Sequence, residues 1–246
     1  MHKTFAILAG CALFAACGGS TPTTPSKTPT LSRTRFLAFG DSLTAGEVTV
    51  PVGVAPGGPG VAVLTPPNAR MLVVPAASYP TQLVSMLQAR YPTQSVSVTN
   101  AGVPGEYSFQ GVQRFPSEMA ATSPEVVLLL EGANDLTIFG PGTPANSLLE
   151  MMAEGRRRGA RVLVATMMPT KPGGRRSLNP AVLEELNAMI KVHAANEGAV
   201  VVDLYTALQP EANTVIGVDG LHPTEVGYKR MADVFFAAIQ AHLEVK

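Results

Sequence analysis

Apolar residues recur along this chain in two rhythms. Short apolar runs at 36–39 (Phe-Leu-Ala-Phe), 125–130 (Glu-Val-Val-Leu-Leu-Leu), 161–167 and 199–204, with an alternating run at 95–99, predict five strands, mostly buried on both faces. Between them, apolar residues three or four apart predict helices. One starts at Ser78 as N-cap, with Pro80 in its first turn and Leu83, Val84 and Leu87 as its stripe. Another has Thr143 as cap, Pro144 at its first position, Leu148 and Met152 on its apolar face, and Gly159 just past its end. Asn179 and Pro180 open a third, with Leu183, Leu186, Ile190 and His193 as stripe and Gly198 as stop, and Thr224 caps a last one through Val226, Met231, Phe235 and Ile239. A shorter pattern over 112–121 contains Pro116, which predicts a helix that breaks or restarts there. Strands alternating with helices imply right-handed parallel crossovers and a three-layer α/β sandwich, with no internal repeat or second domain visible.

One connection departs from this rhythm. Residues 47–76 lie where a short strand-to-helix loop would suffice. Val48, Val50, Val52 and Val54 alternate, Pro56 to Gly60 punctuates, and Val61, Val63 and Leu64 follow, so a β-hairpin insertion is predicted. It leaves from the end of the first strand and is expected to overhang any site there, as a substrate-shaping wall or as a surface decoration.

Composition narrows the class. With 246 residues, 46% hydrophobic and 15% charged, the chain can build one well-cored domain. Its 18 basic residues balance 18 acidic ones, so bulk charge gives no reason to expect a nucleic-acid partner. Residues 1–17 look like a leader: Lys3 precedes a small, apolar run over 4–16 that is too short to span a membrane comfortably. Phe14-Ala15-Ala16-Cys17 resembles the lipobox of bacterial lipoproteins, which implies that Cys17 is lipidated and becomes the first mature residue. Leu8-Ala9-Gly10-Cys11 fits the box better at Leu8 but leaves a very short apolar core, and an ordinary secretory cut after Gly18 is the alternative. Residues 18–32, rich in Gly, Ser, Thr and Pro, read as an extended tether to a domain over 33–246. The expectation is secretion across the inner membrane and a lipid anchor in the cell envelope, in the periplasm or at the outer membrane. Both cysteines fall at or before the cleavage point, so the mature domain is expected to lack an internal disulfide and any cysteine-based metal site.

The chemistry is carried by residues that the strand pattern brings to one edge. Ser42 lies just past the C-terminal end of the first strand, the edge at which open parallel sheets bind ligands. A serine hydroxyl needs a base, and the base needs a carboxylate to fix its tautomer. Asp219 and His222, separated by two residues directly before the last helix, can supply both. Gly102 and Asn134 each follow a strand and can offer a backbone N–H and a side-chain amide to a developing oxyanion, with the N–H of Ser42 as a third donor. No G-x-S-x-G elbow, phosphate loop or H-E-x-x-H helix occurs.

Gly40-Asp41-Ser42-Leu43, Asn100-Ala101-Gly102, Gly132-Ala133-Asn134-Asp135 and Asp219-Gly220-Leu221-His222 resemble the four sequence blocks of the GDSL, or SGNH, hydrolases, in that family's order. The resemblance spans roughly residues 35–243 and implies a flavodoxin-like five-stranded parallel sheet in order 2-1-3-4-5, with ester hydrolysis that uses no metal or other cofactor. It implies Ser42 as nucleophile, Gly102 and Asn134 as oxyanion donors, His222 as base and Asp219 as its orienter. The expected substrate is a small-molecule or glycan ester. A lipolytic or short-chain acyl esterase is the first reading, a carbohydrate O-acetylesterase the second, and a non-catalytic envelope binding module the rival from another class. The insertion at 47–76 is where the chain departs from a compact member of the family, and it bears on substrate more than on reaction. Oligomeric state is not legible.

Other polar residues carry lesser expectations. Asp41 and Asp135 read as turn and capping carboxylates, His193 as a satisfied core or edge histidine, and Glu131 as a residue that finds a donor or reaches solvent. Arg156 to Arg158 suit a solvated helix C-terminus. Lys171, Arg175 and Arg176 follow the fourth strand at the active edge, where they could bind an anionic part of the substrate.

Overall fold

The computed structural model describes residues 1–2, 28–51 and 69–245. Residues 3–27, which hold the rest of the leader, Cys17 and most of the tether, lie outside them, as does the span 52–68 of the insertion. The chain runs β1 (Thr30–Leu31), β2 (Arg35–Gly40), α1 (Ser42–Ala45), β3 (Glu47–Pro51), β4 (Ala69–Val73), α2 (Tyr79–Arg90), β5 (Ser97–Gly102), α3 (Ser108–Thr122) and β6 (Val126–Leu130). It continues through a 3₁₀ turn at Asp135–Thr137, α4 (Gly142–Arg157), β7 (Arg161–Ala165), α5 (Pro180–Glu197), β8 (Val200–Val202), α6 (Leu204–Leu208), α7 (Ala212–Val215), α8 (Glu225–Leu243) and β9 (Glu244–Val245).

The central sheet has the order β5-β2-β6-β7-β8, parallel throughout, which is the expected 2-1-3-4-5 arrangement. Right-handed crossovers place α2 and α8 against one face and α3, α4 and α5 against the other. Buried aromatic pairs mark both layers: Tyr79 stacks on Phe235 at 4.7 Å between α2 and α8, and Phe39 meets Phe115 edge-on at 4.9 Å between β2 and α3. This topology gathers the C-terminal ends of β2, β5 and β6 at one edge, where Ser42, Gly102 and Asn134 follow.

Several elements differ from the sequence-based expectation for identifiable reasons. Helix α3 runs unbroken through Pro116, because Gly111, Phe115 and Met119 bury one continuous face and outweigh the missing N–H. Helix α4 starts at Gly142, so Thr143 lies inside its first turn and the carbonyl of Pro141 receives the N–H of Ala145. Strand β7 stops at Ala165 because the side chain of Asn187 takes over the next backbone: its Oδ1 accepts from Met167 N at 2.6 Å and its Nδ2 donates to Met167 O at 2.9 Å. Strand β8 stops at Val202 because Asp203 caps α6, accepting from Thr206 N. Strand β5 begins at Ser97 and runs on to Gly102, in register with β2 from Arg35↔Ser97 to Gly40↔Gly102.

The insertion contains an antiparallel ladder of β3 and β4, from Glu47↔Val73 to Pro51↔Ala69. Its returning strand is therefore 69–73, while Val61, Val63 and Leu64 lie outside the described residues. At the other end of the fold, part of the expected tether is structured. Leu31 is buried, Gln94 grips both its N–H and its carbonyl, and β1 pairs with β9.

Candidate active site

Ser42 is set by the turn that ends β2. A side chain at Gly40 would put its Cβ 1.8 Å from the carbonyl oxygen of Leu130, so only glycine lets β2 close against β6 there. Asp41 then caps the single-turn helix α1, its Oδ1 accepting from Leu43 N at 2.9 Å. Gly46 ends the turn at φ +94°, a left-handed conformation that suits glycine. Ser42 is the first residue of this helix, a position whose N–H has no acceptor within the helix.

The base arrives on a loop tied at several points. His222 O accepts from Gly217 N at 2.7 Å, Asp219 O accepts from Arg176 N at 2.7 Å, and Gly220 turns the chain at φ +90°. Asp219 Oδ1 accepts from the N–H groups of Leu221 and His222, both at 3.1 Å, and its Oδ2 lies 2.6 Å from His222 Nδ1. A carboxylate only accepts, so Nδ1 carries the proton and Nε2 presents its lone pair. Nε2 lies 2.9 Å from Ser42 Oγ, which donates to it. Burial pushes the Asp219 carboxyl up, but the hydrogen bond and charge of His222 outweigh it, and the group sits below the ordinary aspartate range. Ser42, His222 and Asp219 therefore form one hydrogen-bonded run.

The three expected oxyanion donors fare differently. Asn134 Nδ2 gives one hydrogen to Glu106 O at 2.8 Å, which leaves the second. Gly102 donates its N–H to Asn100 Oδ1 at 3.0 Å, so it must leave that partner before it can serve an oxyanion. Its lack of a side chain is required by packing, since a Cβ there would come within 2.2 Å of Ala45 N. The N–H of Ser42 is the donor least committed elsewhere.

The three residues of the basic cluster have different surroundings. Arg176 Nη2 donates to Asn134 Oδ1 at 2.7 Å and Nη1 lies 3.8 Å from Met71 Sδ, so this guanidinium is engaged by the Asn134 amide and by β4. Lys171 Nζ reaches Asn213 O, and Arg175 is exposed. Of the three, Arg176 is the one that fixes the amide of Asn134. Sequence reasoning missed this because nothing in a Gly-Arg-Arg run says which neighbour the second arginine meets.

It also missed Glu47 and Thr49. These alternate residues of β3 reach the acid–base pair, with Glu47 Oε2 3.5 Å from His222 Nε2 and Thr49 Oγ1 3.5 Å from Asp219 Oδ1. The only available signal was the position of β3 directly after α1.

Behind the site lies a group of buried carboxylates. Desolvation raises Asp41 to about 6, while the N–H of Leu43 and the charge of His222 hold it down. Burial also raises Asp135, although it accepts from Ser108 N at 2.9 Å and Ser108 Oγ at 2.7 Å and so anchors the start of α3. Glu131 is 1% exposed, and neither of its oxygens accepts a hydrogen bond from the described residues. Desolvation first, then the nearby charges of Asp41 and Glu106, push it well above the glutamate range. It therefore neither reaches solvent nor finds a donor among the described residues, and burial favours its neutral form. His193 likewise differs from expectation, its buried Nε2 having no partner among the described residues.

A family model described as the GDSL-like Lipase/Acylhydrolase family matches residues 38–230. A search of curated proteins finds no match. Among solved structures, a lipase/acylhydrolase from Enterococcus faecalis is 25% identical, covers 87% of this chain and 98% of its own, and superposes with a TM-score of 0.67. A psychrotrophic esterase from Pseudoalteromonas sp. is 16% identical over 84% of this chain and 96% of its own, with a TM-score of 0.61. A mutant acetyl-xylooligosaccharide esterase from Geobacillus stearmophilus is 20% identical over 85% and 95%, with a TM-score of 0.63. At these last two identities the likeness concerns the fold alone.

Proposed function

Because the chain belongs to the GDSL-like lipase/acylhydrolase family, we propose that it hydrolyses carboxylic esters through an acyl-enzyme on Ser42, with lipid or short-chain acyl esters as its substrates. The observation that carries this reading is the unbroken run from Ser42 Oγ through His222 to Asp219, at 2.9 and 2.6 Å. Ser42 Oγ attacks the ester carbonyl as its proton passes to Nε2, and Asp219 stabilises the imidazolium that forms. Negative charge on the carbonyl oxygen meets the N–H of Ser42 and the remaining hydrogen of Asn134. His222 then protonates the leaving alcohol, and the acyl group stays on Ser42 until water removes it.

Exposed apolar side chains favour an acyl substrate over a purely polar one. Met71 on β4, Val103 after β5, Phe109 on α3, and Ile138 and Phe139 after the 3₁₀ turn all project from segments that adjoin the site residues. The same reading includes an envelope location with Cys17 as the lipid anchor. Metabolic palmitate labelling that persists in Cys17→Ser protein would remove that part while leaving the chemistry intact.

Labelling with a fluorophosphonate probe tests the reaction. Wild type is expected to label stoichiometrically, Ser42→Ala not at all, and Ser42→Ala or His222→Ala to lose several orders of magnitude in kcat. Ester turnover retained by purified Ser42→Ala protein contradicts the assignment. A chain-length series of esters run beside acetylated polysaccharide then separates acyl esterase from carbohydrate O-acetylesterase, and failure of wild type to label returns the chain to the class of binding modules.

A further inference from the structure

The base has a second acidic neighbour. Glu47 opens β3 immediately after Gly46, and its Oε2 lies 3.5 Å from the same His222 nitrogen that faces Ser42. Its side chain is 10% exposed, at the margin of the site. Its backbone is fixed, because buried Tyr228 donates its hydroxyl to Glu47 O at 2.6 Å and also lies 3.4 Å from Ser42 O. No hydrogen bond from another described residue engages the Glu47 carboxylate. Asp219 already orients the imidazole through Nδ1, so that task is taken. A carboxylate held beside Nε2, with acceptor capacity unused, has a different use.

That use appears in the second half of the reaction. Once Ser42 Oγ is esterified it no longer donates to Nε2, and the next donor to that nitrogen must be water. We propose that Glu47 positions this deacylating water. The water gives one hydrogen to Nε2 and the other to Glu47 Oε2, which turns an oxygen lone pair toward the acyl carbon. Two acceptors bridged by one water sit roughly 4.5 Å apart at ordinary hydrogen-bond lengths, and a small rotation of the Glu47 side chain supplies the difference. In the attack, the bond from water oxygen to acyl carbon forms and the proton directed at Nε2 transfers to it. The bond from the acyl carbon to Ser42 Oγ then breaks, and Nε2–H returns its proton to Oγ. Glu47 accepts a hydrogen bond throughout and changes no protonation state. An acceptor alcohol offers only one hydrogen, so the same geometry favours hydrolysis over acyl transfer.

This inference rests on the acyl-enzyme reading of Ser42, and its test keeps the two apart. Stopped-flow hydrolysis of p-nitrophenyl butyrate by wild type, Glu47→Gln and Glu47→Ala resolves acylation from deacylation, and fluorophosphonate labelling independently reports whether the nucleophile and base remain assembled. The variants are expected to acylate and label within about threefold of wild type, while deacylation slows roughly ten- to a hundredfold. A burst of p-nitrophenol should appear, kcat and KM should fall together, and kcat/KM should be nearly kept. Glu47→Gln, which retains an acceptor oxygen, should lose less than Glu47→Ala. Equal losses in acylation and deacylation would assign Glu47 a structural or general electrostatic role, and unchanged deacylation would remove it from the reaction; either overturns the proposal. Absence of any acyl-enzyme in wild type would overturn the reading of Ser42 itself.

Discussion

The amide of Asn134 is fixed at both ends, by Glu106 O on one side and Arg176 on the other, and one of its hydrogens is left over for the proposed oxyanion. A cation on the amide oxygen withdraws electron density and makes the remaining N–H a better donor. Asn134→Ala is therefore expected to lower kcat roughly 10²- to 10³-fold, and Arg176→Ala about tenfold or more, with little effect on KM. In the Asn134→Ala background, Arg176→Ala should cost almost nothing further, which a double-mutant cycle on kcat would measure. Anionic and neutral esters should suffer equally, whereas a substrate-binding arginine would penalise anionic esters alone. Ser42, Asp219 and His222 were legible because each belongs to a short block whose spacing has a chemical reason. Arg176 and Glu47 were not, since their roles depend on which loops meet in space.

Strand and helix identities could be read from apolar rhythm because the crossovers bury one face of each helix and both faces of the central strands β2, β6 and β7. Where the reading ended a strand too late, a side chain had replaced the sheet as backbone partner. Asn187 is such a case, a helix residue that satisfies Met167 as a neighbouring strand would. Replacing it with Ala leaves a buried N–H and a buried carbonyl unpaired, and a loss of roughly 2–4 kcal/mol is expected, read as a lower urea midpoint at constant m-value. Pro116 erred the other way: the pattern flagged a break, yet packing on both sides of it holds α3 together. The β3–β4 hairpin was visible as alternating valines, but its bearing on chemistry came from two polar positions, Glu47 and Thr49, that a search for apolar alternation passes over.

Across the whole molecule, buried acids give stability a pH dependence opposite to the common one. Asp41 has an ordinary value of 3.8 and a folded value of about 6. The folded chain thus holds a proton that the unfolded chain has released, and stability falls as pH rises through that window, by roughly 3 kcal/mol from this group. Glu131 is raised for the same reason and extends the decline to higher pH. Asp219, Asp203 and Glu244 are shifted down, so their contributions are lost at the acid end instead. Thermal unfolding should therefore give its highest Tm in mildly acidic solution. Glu131→Gln should raise Tm at pH 8 and flatten the fall of stability with rising pH; an unchanged or lower Tm at pH 8 would contradict the assignment of a buried acid without a donor.

The clasp of β1 on β9 joins the two ends of the fold, and Glu244 reinforces it by accepting from Arg90 Nε at 2.8 Å and Tyr91 Oη at 2.6 Å. A shortened C-terminus therefore acts at the N-terminus. Without Glu244 and Val245, Thr30 and Leu31 lose their strand partner, and each residue released there adds up to roughly 3.3 Å of extended chain in front of the domain. The last residues of the sequence thereby govern how much of the N-terminal segment stays bound to the domain.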